Sequence, residues 1–239
     1  MFMKTRVLLP ERMDDPNLDR DQHVRALCGL RRINWWSGNA SLAWQPVREL
    51  AGELGTDRLR ILDIATGAAD IPISLWNKSQ KHGLELEIEA CDVSSTALEF
   101  AAENCQKAGA EVRLFPLDIL QDSCDQSYDL VMCSQFLHHF ADEQAQAIVR
   151  TMARLATRRV IIIDLVRSRL NWLIVCFASH ALSRSPVVHF DGPQSIRAAY
   201  TVTEMKAIAR RADLAHFEIR KHWPCRFVLI GSVEPTVGN

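Results

Sequence analysis

The sequence predicts an α/β protein with a mostly parallel sheet covered by helices on both faces, and three observations carry that expectation. Five apolar runs rich in β-branched residues alternate with stretches of helical spacing, as a sheet buried on both sides requires. The first three runs lead to an aspartate at or next to their ends: Asp63, Asp92 and Asp118. The first run is followed at once by a loop of tiny residues, Ala65-Thr66-Gly67-Ala68-Ala69. A strand that turns through such a loop into a helix offers backbone N–H groups and a positive helix end to a nucleotide-like ligand.

Residues 1 to 56 precede the first strand and read as a helical cap. After a polar stretch from Pro10 to Pro16, Asp19 to Leu30 and Ala40 to Leu54 carry helix formers with apolar residues at helical spacing. Between them lie Trp35 and Trp36. Two adjacent tryptophans at a helix end cannot both face one core, so one is offered to a cleft; the alternative is a pair wedged between cap and sheet. Ile61 to Ile64 form the first strand, and Ile71-Pro72-Ile73 opens a helix with proline near a first helical position. Leu84 to Cys91 form the second strand. Its terminal Asp92 stands where a carboxylate accepts both hydroxyls of a ribose, although it could equally cap the helix opened by Ser94.

The third strand, Val112 to Leu117, leads to Asp118, and the fourth, Tyr128 to Ser134, to Leu137-His138-His139-Phe140. Arg159 to Leu165 form the fifth. Beyond it, Asn171 to Leu182 is an apolar stretch of about a dozen residues, too short to span a bilayer. A lid over a hydrophobic substrate is the leading reading of this insertion, taken as residues 168–195, with a dimer contact or a core helix as alternatives. Val187 to Pro193 reads as a turn-rich connection, and Thr201 or Thr203 starts a further helix through Ala212.

Composition narrows the function classes. The chain has 239 residues, 48% hydrophobic and 24% charged, enough for one core with helical additions, and a net charge of −1 makes no case for nucleic acid. From Arg150 to Arg226, however, 14 Lys/Arg face 5 Asp/Glu. That asymmetry suits an anionic substrate, a membrane surface or, most simply, a solvated basic face. The seven cysteines show no metal-clamping spacing and read as reduced thiols, so no metal is expected. Met1 to Arg20 is too polar for a secretory signal or a spanning helix, which points to the cytoplasm and to no stable membrane insertion.

With these motifs the sequence resembles the class I S-adenosylmethionine-dependent methyltransferases over roughly residues 58 to 231, and within them the ubiquinone/menaquinone methyltransferase-like enzymes acting on small molecules. The resemblance implies a Rossmann-like, seven-stranded sheet whose last two strands, about His216 to Lys221 and Arg226 to Ile230, form an antiparallel edge. It divides the chain into a cap, 1–56, and an S-adenosylmethionine-binding domain, 57–239. It also assigns the cofactor to Asp63, Ala65, Thr66, Gly67, Asp70, Asp92, Val93, Asp118, Ile119 and Ser134, with Asp92 as the ribose acid and Asp118 as the adenine-binding acid. Ala65 and Ala69 stand where the family's outer glycines belong, so the loop is expected to sit farther from the ligand or to keep φ below zero there.

Methyl transfer is a direct displacement at a sulfonium methyl, so positioning dominates and one base suffices to deprotonate a phenol or an activated ring carbon. His139, His138 and His189 are the candidates, with His139 ahead. Trp35, Trp36, Trp172, Phe177, His189 and Arg197 are the candidate acceptor contacts. The partner expected is a small, hydrophobic or aromatic acceptor methylated on oxygen or carbon, with a homodimer left open. Two rivals remain: a nicotinamide-dependent oxidoreductase, disfavoured because the loop lacks the glycines a pyrophosphate needs, and a non-catalytic protein that keeps the fold.

Overall fold

The computed structural model describes residues 3, 5–15, 17–212, 214 and 216–233. Seven strands form one sheet in the order β3-β2-β1-β4-β5-β7-β6: β1 (Arg58–Ile64), β2 (Glu85–Asp92), β3 (Val112–Pro116), β4 (Tyr128–Ser134), β5 (Ala156–Leu165), β6 (His216–His222) and β7 (Arg226–Ser232). The first five pair in parallel, while β7 runs antiparallel to both β5 and β6. The expected sheet, with its antiparallel edge, is therefore present.

Alternation along the strands sorts side chains to two cores. Leu62, Ile64, Val131, Cys133, Val160 and Ile162 face one side with Ile148 and Met152 of α5 (Asp142–Leu155) and Met205 of α8 (Val202–Arg211). Leu59, Ile61, Leu130, Met132, Ile161 and Ile163 face the other with Val47 and Leu50 of α2 (Asn39–Leu54) and Leu75 of α3 (Asp70–His82). Helix α4 (Ser95–Ala108) follows β2 and is capped by the Ser94 hydroxyl, which accepts the Ala97 N–H. Thr201 caps α8 together with Glu204, which settles the choice between Thr201 and Thr203. All seven cysteines are free.

Two local expectations need correction. Helix α1 runs from Arg20 to Trp36 without a break before the tryptophans. The segment read as a turn-rich connection is instead helical: α6 (Arg169–Leu182) is followed by α7 (Pro186–Ala198), with Pro193 inside it. Gly192 makes the close α6–α7 contact feasible, because a Cβ there would stand 3.1 Å from Val175 Cγ1. Asp191 adds a tie, accepting the backbone N–H groups of Arg12 and Met13 at 2.9 and 3.0 Å.

The strand order reverses between β1 and β4. Open parallel sheets bind ligands in the crevice outside the carboxyl ends of the strands at such a switch point. Asp63, Asp92, Ser134 and Asp164 all lie at that end of their strands.

Candidate functional site

The loop after β1 adopts left-handed backbone at three alternate positions, with φ of +55° at Ala65, +55° at Gly67 and +58° at Ala69. The expectation of negative φ at the two alanines is thus overturned. Left-handed backbone costs an L-residue roughly 1–2 kcal/mol, and the surroundings hold the loop to it. Thr66 N–H donates to Cys91 O at 3.0 Å, and Gly67 N–H to Asp92 Oδ2 at 2.9 Å. Asn104, itself held by Arg31, donates to Ala68 O. Both alanines thus carry the left-handed backbone that favours glycine, despite their methyl groups.

Around this loop lie three carboxyls, Asp63, Asp70 and Asp92, that form no salt bridge among the described residues. Asp63 is pushed up to about 7 by burial, with Asp92 and Asp70 adding repulsion, and Asp70 is pushed up to about 6 by burial. Burial also raises Asp92, although it accepts backbone N–H groups from Gly67 and Ser94. Asn39 Oδ1, Asp63 Oδ1, Thr66 Oγ1 and Asp70 Oδ1 are buried with no hydrogen-bond partner among the described residues. Unsatisfied buried acceptors are costly, and a bound ammonium would satisfy them. Asn39 is oriented by its side-chain N–H, which donates to Ser134 Oγ, and Asn34 links Asp70 to Gln135.

The opposite wall is built from the short helical turn Leu137–His139 after β4 and from the N-terminal segment. His138 Nδ1–H donates to Asp164 Oδ1 at 2.7 Å, its backbone N–H to Asp164 Oδ2 at 3.1 Å, and its Nε2 lies 3.6 Å from Glu11 Oε1. Burial opposes its charge, but Asp164 and Glu11 outweigh it and raise the imidazole to about 10. Burial works against both carboxylates in turn, and His138 holds each below its usual range. His138 is therefore an imidazolium near neutral pH and has no lone pair to offer a proton.

His139 differs. Its Nδ1 lies 2.9 Å from Asp14 Oδ2. Burial would raise Asp14, yet the hydrogen bond and charge of His139 keep it low. An ionised carboxylate only accepts, so Nδ1 carries the proton and Nε2 keeps its lone pair when the ring is neutral. Donor atoms of Glu11, His138 and His139 lie within 4.8 Å of one another, as ligand sets do. His138 engages Asp164 through Nδ1 and faces Glu11 through Nε2, so the three groups belong to one proton-sharing cluster.

The N-terminal segment that brings Glu11 and Asp14 to the histidines is tied along its length. Val7 N–H donates to Arg197 O, Arg6 Nη2 to His138 O, Arg12 and Met13 N–H to Asp191, and Ser195 Oγ to Glu11.

Both walls enclose one cavity of about 700 Å³. Of the residues expected from sequence, Asp63, Ala65, Thr66, Gly67, Asp70, Asp92, Val93, Ser134, His138 and His139 line it together. The others are elsewhere. Asp118 accepts from Leu120 N–H and Gln121, and Ile119 is buried in the α5 core. Trp35 and Phe177 are exposed, and Trp36 packs on Trp223. Trp172 packs beside Leu165 and Cys225, and Arg197 bonds Gln194. His189 bonds Ser183 O and stacks on His180.

Glu11, Asp14, His23, Asp164 and Ser195 belong to the site and were not singled out in the sequence. Only Asp164, a further acid near the end of a strand, carried a signal that could have found it.

Residues 61–159 match a family model described as a methyltransferase domain. The release factor glutamine methyltransferase of Lactococcus lactis subsp. lactis (strain IL1403) is 34% identical over 86 residues, which is 36% of this chain and only 30% of that protein. Among solved structures, the chain is similar to magnesium protoporphyrin IX methyltransferase from Synechocystis PCC 6803 with bound S-adenosylmethionine. The TM-score is 0.58 at 17% identity, over 92% of this chain and 100% of that one. An O-methyltransferase family protein from Burkholderia thailandensis gives a TM-score of 0.61 at 18% identity, over 94% of this chain and 62% of that one. Identities this low establish the fold alone. That fold is the Rossmann-like one of the class I methyltransferases.

Proposed function

We propose that this protein is an S-adenosylmethionine-dependent methyltransferase acting on oxygen or carbon of a small hydrophobic or aromatic acceptor. The observation that carries the reading is the set of unpartnered buried oxygens on Asp63, Asp70, Asn39 and Thr66, gathered around a left-handed loop at the sheet's switch point. Their chemistry fits the amino acid end of the cofactor, whose ammonium they would hold. Asp92, fixed by Gly67 and Ser94, faces the cavity where ribose hydroxyls would donate. When bound, the cofactor supplies an electrophilic methyl on a sulfonium.

The remaining work falls to the chain. Phe136, Phe140, Leu165 and Met13 give the cavity apolar wall against which a ring can lie. His139 Nε2 receives the acceptor's proton, and Asp14 holds the ring and stabilises the imidazolium that results. His138, already charged, cannot share that task; it braces the turn through Asp164 and Glu11. The 1–56 cap closes the cofactor end, and the 168–195 insertion contributes Asp191 and Ser195 as anchors of the N-terminal segment rather than as direct contacts to acceptor. A nicotinamide dinucleotide would set its diphosphate against Asp63, Asp70 and Asp92, where like charge opposes it. Seven free thiols agree with a reducing, cytoplasmic setting.

Incubation with methyl-labelled S-adenosylmethionine and a panel of neutral phenols and hydroxyquinones tests the reading. Label should move to at least one acceptor, and His139→Ala should slow that transfer ~10²–10⁴-fold without changing S-adenosylhomocysteine affinity. Transfer undiminished in His139→Ala would remove the base assignment.

A further inference from the structure

Three of the side chains that sequence reasoning assigned to substrate and the structure leaves outside the cavity, Trp35, Trp36 and Phe177, gather on one face. Leu170, Leu173 and Phe177 lie on α6 at spacings of three and four, one stripe of the helix, and all three point to solvent. The opposite side of α6 packs through Trp172 and Val175 against Leu165, Ile196 and Cys225. Cys225 ends the β6–β7 turn, which also carries Trp223, 79% exposed, and the Cys225 Sγ donates to Asn171 O. Trp223 in turn meets Trp36, with ring centroids 6.3 Å apart, beside Trp35, which is 84% exposed. Arg32 closes the circuit, its Nε donating to Leu182 O at the end of α6. Three elements thus present three tryptophans, two leucines and a phenylalanine to solvent.

Charge says what covers this face. No Asp or Glu occurs between Asp21 and Glu49, between Asp164 and Asp191, or between Glu218 and Glu234, the three stretches that build it. Exposed cations occur in each: Arg32, Arg184 and Lys221. A second copy docked about a two-fold axis would set these cations against their own equivalents with no carboxylate to neutralise them. An anionic lipid surface neutralises them, while tryptophan suits the boundary between headgroup and acyl chain. No helix among the described residues is long and apolar enough to cross a membrane, so α6 would lie in the interface plane.

We propose that the face formed by α6, the end of α1 and the β6–β7 turn docks the protein peripherally on an anionic lipid bilayer. This assignment stands apart from the methyltransferase reading and needs no acceptor to be tested. The full chain is sedimented with phosphatidylcholine vesicles and with vesicles containing about 30% phosphatidylglycerol, at low and at about 0.5 M salt. Partitioning should rise at least 10-fold with the anionic lipid and fall with salt. Leu173→Ser and Trp223→Ser, both at exposed positions, should each cut it several-fold with S-adenosylhomocysteine affinity and circular dichroism unchanged. Arg184→Gln with Lys221→Gln should remove most of the salt-sensitive part.

Equal partitioning on both vesicles, none on either, or binding that both serine variants retain would overturn the proposal. So would a dimer in light scattering that Leu173→Ser converts to monomer, which would make this face a contact between copies.

Discussion

Affinity for S-adenosylhomocysteine should fall steeply as pH drops from 8 to 6, because its ammonium must meet ionised carboxylates that the ligand-free protein protonates unusually easily. Burial sets Asp63 at about 7 and Asp70 at about 6. The sign follows from linkage: a bound cation favours the ionised forms, so affinity is full above these values and is lost as pH falls through them. Requiring Asp63 ionised weakens binding ~10-fold over this range, and Asp70 adds ~2-fold, giving about 20-fold in all. Calorimetric titrations at pH 6, 7 and 8 in buffers of matched ionic strength measure this directly. Asp63→Asn should bind more weakly at pH 8 and keep only the ~2-fold dependence due to Asp70. A wild-type affinity flat from 6 to 8, or an unchanged slope in Asp63→Asn, would show that these carboxyls do not hold the ligand's cation.

The remaining predictions use the same titration or a companion measurement. Asp92→Ala should cost ~2–3 kcal/mol in S-adenosylhomocysteine binding, since it loses charged acceptors for ribose and for the loop. Asp118→Ala should cost clearly less, because its oxygens serve Leu120 and Gln121. Gly67→Val should abolish binding, as φ of +55° is prohibitive for a β-branched residue, whereas Ala65→Gly should bind normally and leave the melting temperature unchanged or higher, since Ala65 already carries left-handed backbone. Asp191→Asn should speed hydrogen exchange at the Arg12 and Met13 amides, which the carboxylate accepts, while leaving cofactor affinity within a few-fold.

The central strands were legible because each is an apolar run buried on both faces, as Ile61 to Ile64 and Val160 to Ile163 are, whereas β6, half exposed, came only with the family resemblance. The acids Asp63 and Asp92 and the small loop between β1 and α3 were legible for a related reason: their chemistry sits at the turn where chain direction changes. The backbone of Ala65 and Ala69 was not. A side chain's preference for negative φ is a matter of about 1–2 kcal/mol, and the hydrogen bonds to Cys91 and Asp92 that outweigh it come from a different strand. Helix α7 was hidden by Gly192 and Pro193, which break isolated helices; here packing on α6 and the tie from Asp191 to the N-terminal segment hold the helix. Glu11 and Asp14 gave no local sign at all, because they acquire a role only when the chain returns to His138 and His139 more than a hundred residues later.

The central claim is that the cavity holds S-adenosylmethionine, and titration of the full chain with S-adenosylhomocysteine and, separately, with NADH at pH 8 tests it most directly. The account predicts one-to-one binding of S-adenosylhomocysteine, lost in Gly67→Val, and no heat from NADH. Binding of NADH, or no binding of S-adenosylhomocysteine by folded protein, would contradict it.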